Sequence, residues 1–201
     1  MKYYALLLCG ICFVVFFLQL LFPSLTDSLL LDQGKSGEVW RFVTAIFVHG
    51  GLGHLLMNMF ALALFGSILE SVIESKKFLL VFFSAGILAN IVAVFFYTKS
   101  LGASGAIFGV LGTLILLRPG MMVFAFGLPM PLFIAGILWA ASDFLGLIIP
   151  SDVGNIAHLT GLAVGLLFGI FLRPLYSLSS QGSKIRFHEP SMRKWEDDYL
   201  R

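Results

Sequence analysis

The sequence is short of charge. Lys, Arg, Asp and Glu make up 12% of its 201 residues, about half of the roughly 25% usual in soluble domains. Disordered chains carry more charge and less apolar matter than this, so disorder is excluded. The net charge is only +2, too small to point to nucleic acid or another polyanion as a partner. There are two cysteines, which rules out a disulfide scaffold. What fills the chain instead is apolar: hydrophobic residues reach 59% and the mean hydropathy is +0.97. A water-soluble domain of this size has too much surface for its volume to hide so much apolar area. The solvent around most of the chain is lipid.

A helix that crosses a bilayer needs about 20 mostly apolar residues. Six stretches qualify, near Tyr3–Phe22, Leu52–Leu69, Phe78–Tyr97, Leu101–Leu117, Met122–Ala141 and Gly154–Leu172. The expected fold is an all-α membrane protein, a six-helix transmembrane bundle over residues 1–173 followed by a polar tail, 174–201. The first stretch is longer than the apolar core of a signal peptide, and no small-residue cleavage site follows before Pro23, so it is read as a helix. The segment Pro23–Gly51 mixes Asp27, Asp32, Lys35, Glu38 and Arg41 with Leu29, Leu30, Leu31, Val39 and Trp40. That mixture suits a structure lying in the membrane interface.

Basic residues set the orientation. With the N-terminus in the cytoplasm, the inner segments hold Lys2, Lys76, Lys77, Arg118, Arg173, Lys184, Arg186, Arg193, Lys194 and Arg201, and the outer ones only Lys35, Arg41 and Lys99. Both termini are then expected in the cytoplasm. Cys9 and Cys12 form a C-x-x-C inside the first span. With no polar partners in sight they are read as two small apolar residues on a lipid-facing helix.

Polar residues are costly inside a span and usually face the bundle interior. His54 and Asn58 lie four apart at the start of the second span, on one helix face. Ser104 opens the fourth span within Gly102-Ala103-Ser104-Gly105, and His158 stands near the start of the sixth. In the orientation above these three spans run the same way, so their first turns share one depth just under the outer surface. Gly102, Gly105, Gly109 and Gly112 line the fourth span, and Gly161, Gly165 and Gly169 form a stripe on the sixth. Small residues at this spacing let membrane helices approach closely. Such an approach would bring a hydroxyl to an imidazole that can act as its base, beside helix-start N–H groups able to bind an oxyanion. Each piece also has a structural reading: helix contact for the glycines and Ser104, an interfacial place for His54, an interhelical hydrogen bond for Asn58.

Taken together, these residues resemble the rhomboid family of intramembrane serine proteases, in its basic six-span form. The resemblance covers about residues 36–170. It is carried by Trp40-Arg41, by His54-Leu55-Leu56-Met57-Asn58 (H-x-x-x-N), by Glu70, by Gly102-Ala103-Ser104-Gly105 (G-x-S-G), and by Ala157-His158-Leu159-Thr160-Gly161 continuing to Gly165 (A-H-x-x-G-x-x-x-G).

The resemblance implies Ser104 as nucleophile and His158 as general base and then acid, a two-residue dyad. His54, Asn58 and the Ser104 N–H would stabilise the oxyanion. Trp40, Arg41, Glu70, Gly102, Gly105, Gly161 and Gly165 would be structural. The substrates implied are transmembrane helices of other proteins, cut in or near their outer ends, with no cofactor or metal and a location in a prokaryotic cell membrane. Where the family often has a tyrosine stacked on the histidine, this chain has Phe108, which can still support the ring. Asp143, near the outer end of the fifth span, could be a third member of a triad; because the family works as a dyad, it is read as an interfacial or loop-ordering residue. The fifth span is the expected lateral gate, since Pro129 and Pro131 weaken a helix and Phe124, Phe126 and Phe133 offer packing that can part. Two rivals stand beside this reading: an inactive rhomboid-like binder of membrane helices, and a small transporter. The apolar inner halves of the fourth and sixth spans, Val110–Leu117 apart from Thr113 and Leu166–Leu172, speak against a through-going polar path.

Overall fold

A lipid-facing backbone must satisfy its own hydrogen bonds, so apolar runs fold as helices. The computed structural model describes residues 3–149 and 153–182, with the backbone alone for 175–182. Lys2, and the part of the expected tail that carries Lys184, Arg186, Arg193, Lys194 and Arg201, lie outside the described residues.

Helix α1 covers Tyr4–Leu21. A short helix α2 (Ser24–Leu29) and strand β1 (Leu31–Asp32) follow, then helix α3 (Arg41–Thr44). Helix α4 (Leu52–Ala61) passes through a π-helical turn, Leu62–Gly66, into α5 (Ser67–Ile73). Helix α6 spans Ser75–Ala93, β2 covers Lys99–Ser100 and α7 spans Ser104–Leu117. After strands β3 (Met122–Ala125) and β4 (Leu128–Pro131) come α8 (Leu132–Gly146) and α9 (Asn155–Gly182). Among the described residues, four helical stretches are long and apolar enough to cross a membrane: α1, the continuous Leu52–Ile73, α6, and Asn155–Pro174 of α9. Helices α7 and α8 are shorter apolar helices.

The stretch expected as one span over Met122–Ala141 is not a single helix. Its first ten residues form the antiparallel hairpin β3–β4, in which Met122 faces Pro131 and Ala125 faces Leu128. At the tip, Phe126 and Gly127 take φ of 53° and 81°, the geometry of a two-residue hairpin turn. Pro129 and Pro131 lack the N–H that a helix requires. The prolines therefore delay the helix rather than weaken its middle. The sixth span also differs from expectation: α9 continues beyond Leu172, through Pro174, to Gly182.

The segment between α1 and α4 is ordered by side-chain to backbone bonds. Arg41 is buried at 3% exposure. Its guanidinium donates to the carbonyls of Asp27 and Leu30, each at 2.8 Å, and to the Glu38 carboxylate at 2.7 Å. Thr44 donates to the Leu29 carbonyl at 2.7 Å, and β1 pairs antiparallel with β2. Trp40, beside Arg41, is half exposed.

Glu70 is buried on the opposite side of the fold's first helix pair. It accepts the N–H groups of Tyr4 and Ala5 at 3.1 and 3.0 Å and the Ser75 hydroxyl at 2.6 Å. A carboxylate here satisfies unpartnered N–H groups at the positive end of α1. Cys9 and Cys12 face the bundle core, not lipid. The surrounding α4–α5 stretch covers that face of α1, and Cys9 Sγ lies 3.7 Å from the Met59 carbonyl oxygen.

Candidate active site

Helices α7 and α9 meet through glycine. A Cβ on Gly161 would overlap the Gly105 carbonyl, and one on Gly165 the Gly109 carbonyl. A Cβ on Gly112 would stand 2.5 Å from the Leu162 carbonyl oxygen. The Thr113 hydroxyl lies 3.0 Å from the carbonyl oxygens of both Gly109 and Gly165, tying the pair at mid-depth. Removing side chains from this seam brings the two backbones together. Residues near the starts of both helices are thereby placed side by side.

Ser104 is the first residue of α7. The first N–H with a partner from the turn before is that of Ile107, bonded to the Ala103 carbonyl at 3.0 Å. The N–H groups of Ser104, Gly105 and Ala106 therefore lack helical acceptors. Just before them Gly102 adopts φ of 116°, a conformation that favours glycine. Its N–H is fixed on the Ala45 carbonyl at 2.8 Å. A Cβ at Gly102 would stand 2.7 Å from the His54 imidazole, so the glycine also makes room for that ring.

A cavity of about 950 Å³ opens over this corner. Ser104, His158, His54, Asn58, Gly102 and Gly105 all line it. Trp40, Arg41 and Glu70 do not; Arg41 and Glu70 bond the surrounding frame. Phe108, one turn after Ser104, stacks on His158 with ring centroids 4.4 Å apart and planes within 7°. Asn58 donates one amide hydrogen to the His54 carbonyl at 2.8 Å, which leaves the second for another acceptor. The start of α9 is anchored by Tyr97, whose hydroxyl accepts the Ile156 N–H at 3.1 Å.

Sequence reasoning missed two parts of this site. The first is His49, buried at 1% exposure. Its ring meets that of His54 edge-on at 5.1 Å. Gln19 of α1 accepts the His49 N–H and donates to the His49 carbonyl, at 3.2 and 3.1 Å. Burial, and then the neighbouring His54, push the His49 imidazole down to about 4, so the ring is neutral at physiological pH. A second histidine five residues before His54, and a glutamine within the first span, were the available signals.

The second is the partner of Asp143. Asp143 stands in the last turn of α8. It is 6% exposed, and its Oδ1 lies 2.9 Å from His158 Nδ1. The contact joins the last turn of α8 to the first turn of α9.

The fold is a helical membrane bundle with a polar cavity at the end where α7 and α9 begin. A scan against family models matches the Rhomboid domain over residues 36–175, and the chain belongs to the rhomboid family. It is 36% identical over 140 residues to the putative rhomboid protease YdcA of Bacillus subtilis, covering 66% of each chain. It is 29% identical over 138 residues to the rhomboid protease GlpG of Haemophilus influenzae, covering 68% of this chain and 71% of that one. To the rhomboid protease GluP of Bacillus subtilis it is 46% identical over 80 residues, 39% of this chain and only 16% of that much longer protein. Family membership and the apolar helices make it an integral membrane protein.

Proposed function

We propose that this chain is a serine endopeptidase that cuts transmembrane segments of other membrane proteins, with Ser104 and His158 as its reacting pair. The observation that carries the reading is that Ser104 and His158 line one cavity, at the start of two helices locked together by glycine. Likeness to proteins named as rhomboid proteases supports it independently.

The Ser104 hydroxyl attacks the scissile carbonyl while His158 takes its proton. The oxyanion so formed is held by the Ser104 N–H, the His54 ring and the free amide hydrogen of Asn58. His158 passes the proton to the leaving amine, the acyl-serine remains, and water completes the hydrolysis. Phe108 keeps the imidazole plane fixed through each proton transfer.

Water must reach this point below the lipid surface, and the length of α7 allows it. Fourteen residues make about 21 Å of helix at 1.5 Å per residue, against about 30 Å of hydrocarbon. With its far end at one interface, the Ser104 end is sunk several ångströms below the other. The arrangement we propose has six spans, the shorter α7 and α8 included, over residues 1–173, with residues 174–201 as a tail. Both termini are cytoplasmic, so the cavity opens outward.

The test is labelling of the purified protein with a serine-reactive fluorophosphonate. Wild type reacts, and Ser104→Ala and His158→Ala do not. Equal labelling of Ser104→Ala transfers the nucleophile elsewhere; absence of labelling in wild type favours an inactive binder of membrane helices.

A further inference from the structure

A buried carboxylate is expensive unless its oxygens are bonded. Asp143 is 6% exposed, and its Oδ2 is buried with no partner among the described residues. It also stands in the last turn of α8, at the negative end of the helix dipole, where a carboxylate is disfavoured. Its hydrogen bond is to His158, at 2.9 Å, and both side chains are largely buried.

The chemistry of that bond fixes a proton. An ionised carboxylate offers only acceptors, so an imidazole bonded to it donates from Nδ1. The remaining nitrogen, Nε2, then carries the lone pair. Phe108, flat on the imidazole, holds its plane but is indifferent to which nitrogen bears hydrogen. His54 lines the same cavity and offers no negative charge. When the serine proton reaches His158, an imidazolium forms in the opening turns of α9, at the positive end of that helix, where a cation is disfavoured. A carboxylate on the ring's far side offsets this.

We infer that Asp143 is a positioning residue for His158. Its carboxylate accepts the Nδ1–H, selects the tautomer with Nε2 free for the Ser104 hydroxyl, and balances the charge of the imidazolium that follows. The inference rests on the Ser104–His158 reading above and adds a third member to it, acting through the second.

The experiment uses the full chain in detergent or liposomes. Asp143→Asn and Asp143→Leu are compared with wild type and Ser104→Ala in three measurements: steady-state cleavage of a transmembrane peptide, thermal unfolding, and the ¹⁵N NMR shifts of histidine-labelled protein. The expected result is that kcat falls about 10- to 100-fold in both Asp143 variants while KM stays within about twofold. The midpoint of unfolding stays level in Asp143→Asn, whose amide can still bond Nδ1, and falls in Asp143→Leu, which leaves that buried nitrogen unpartnered. The His158 signal moves away from the Nδ1–H tautomer. Wild-type kcat together with an unmoved imidazole signal overturns the inference. So does a fall in kcat in Asp143→Asn that tracks a fall in its unfolding temperature, since that marks a structural role. Full activity in Ser104→Ala overturns the protease reading instead, and the NMR comparison still decides the tautomer of His158.

Discussion

Helices α7 and α8 are neighbours in sequence, nearly equal in length, and opposite in character. Of the fourteen residues of α7, ten are buried; of the fifteen of α8, four are. Helix α7 stands in the middle of the bundle, with α6 and α9 against it through Ala85, Ala89, Gly161 and Gly165. Helix α8 stands at the edge, with Ile137 and Phe144 at 63% and 60% exposure, and it reaches the Leu52–Ile73 helix through the Phe65–Trp139 ring contact at 6.3 Å. In the proposed reading, the nucleophile Ser104 sits on the packed helix. The edge helix carries one group, Asp143, to His158. A protease for helices needs both qualities: fixed geometry at the reacting atoms and a side through which a substrate helix can come.

The sharpest way to break this contrast is to crowd the seam. Gly161→Val places methyl groups onto the Gly105 carbonyl, which is backbone and cannot step aside. Overpacking commonly costs about 1–3 kcal/mol, and a backbone collision belongs at or above the top of that range. Ile137→Val on the exposed face of α8 should stay within about 0.5 kcal/mol of wild type. Unfolding in a denaturing detergent titration measures both. Comparable losses at the two positions would remove the distinction between core and edge helix.

The second prediction concerns the rim of the cavity. Removing one oxyanion donor from an acyl-transfer enzyme costs about 2.7–4 kcal/mol. Asn58→Ala should fall at the mild end, roughly 100-fold in kcat, since His54 and the Ser104 N–H remain. Asn58 also bonds the His54 carbonyl inside its own helix, a bond a helix does without. The unfolding midpoint should therefore move little while kcat drops. A matching loss of stability would make Asn58 a structural residue of α4.

How much of this was legible in the sequence depended on distance along the chain. The glycine stripes, the pair His54 and Asn58, and the short run around Ser104 are local patterns, and helical spacing alone states which face they share. Placement in one cavity needed only the alternation of span directions. The hairpin was lost for the opposite reason. Met122–Pro131 is as apolar as a span, and hydropathy averages away the Phe126-Gly127 turn and the alternate prolines that decide the matter. Asp143 was visible as a residue but not as a partner, because its bond to His158 depends on how the chain turns between α8 and α9. His49 and Gln19 pair across thirty positions, and no periodicity reports such a contact.

The smallest effect tests the edge helix as the side of access. Trp139 touches Phe65 of the neighbouring span at 6.3 Å and Phe126 of the hairpin at 6.4 Å. It is thus the ring that links α8 both to the span beside it and to the turn beneath it. An edge-on aromatic pair is worth about 0.5–1.5 kcal/mol, so replacing Trp139 lowers the cost of parting these helices by a factor of roughly two to ten. If α8 is the side of access, Trp139→Ala should speed cleavage of a transmembrane substrate by up to that factor. Labelling by a small fluorophosphonate, which does not need the helices to part, should keep its wild-type rate. Equal acceleration of both reactions would mean that the substitution loosened the reacting pair itself, and the division of labour between α7 and α8 would then be false. Slower cleavage with unchanged labelling would mean that the Trp139 ring helps to seat the substrate, and access would have to be sought at another face of the bundle.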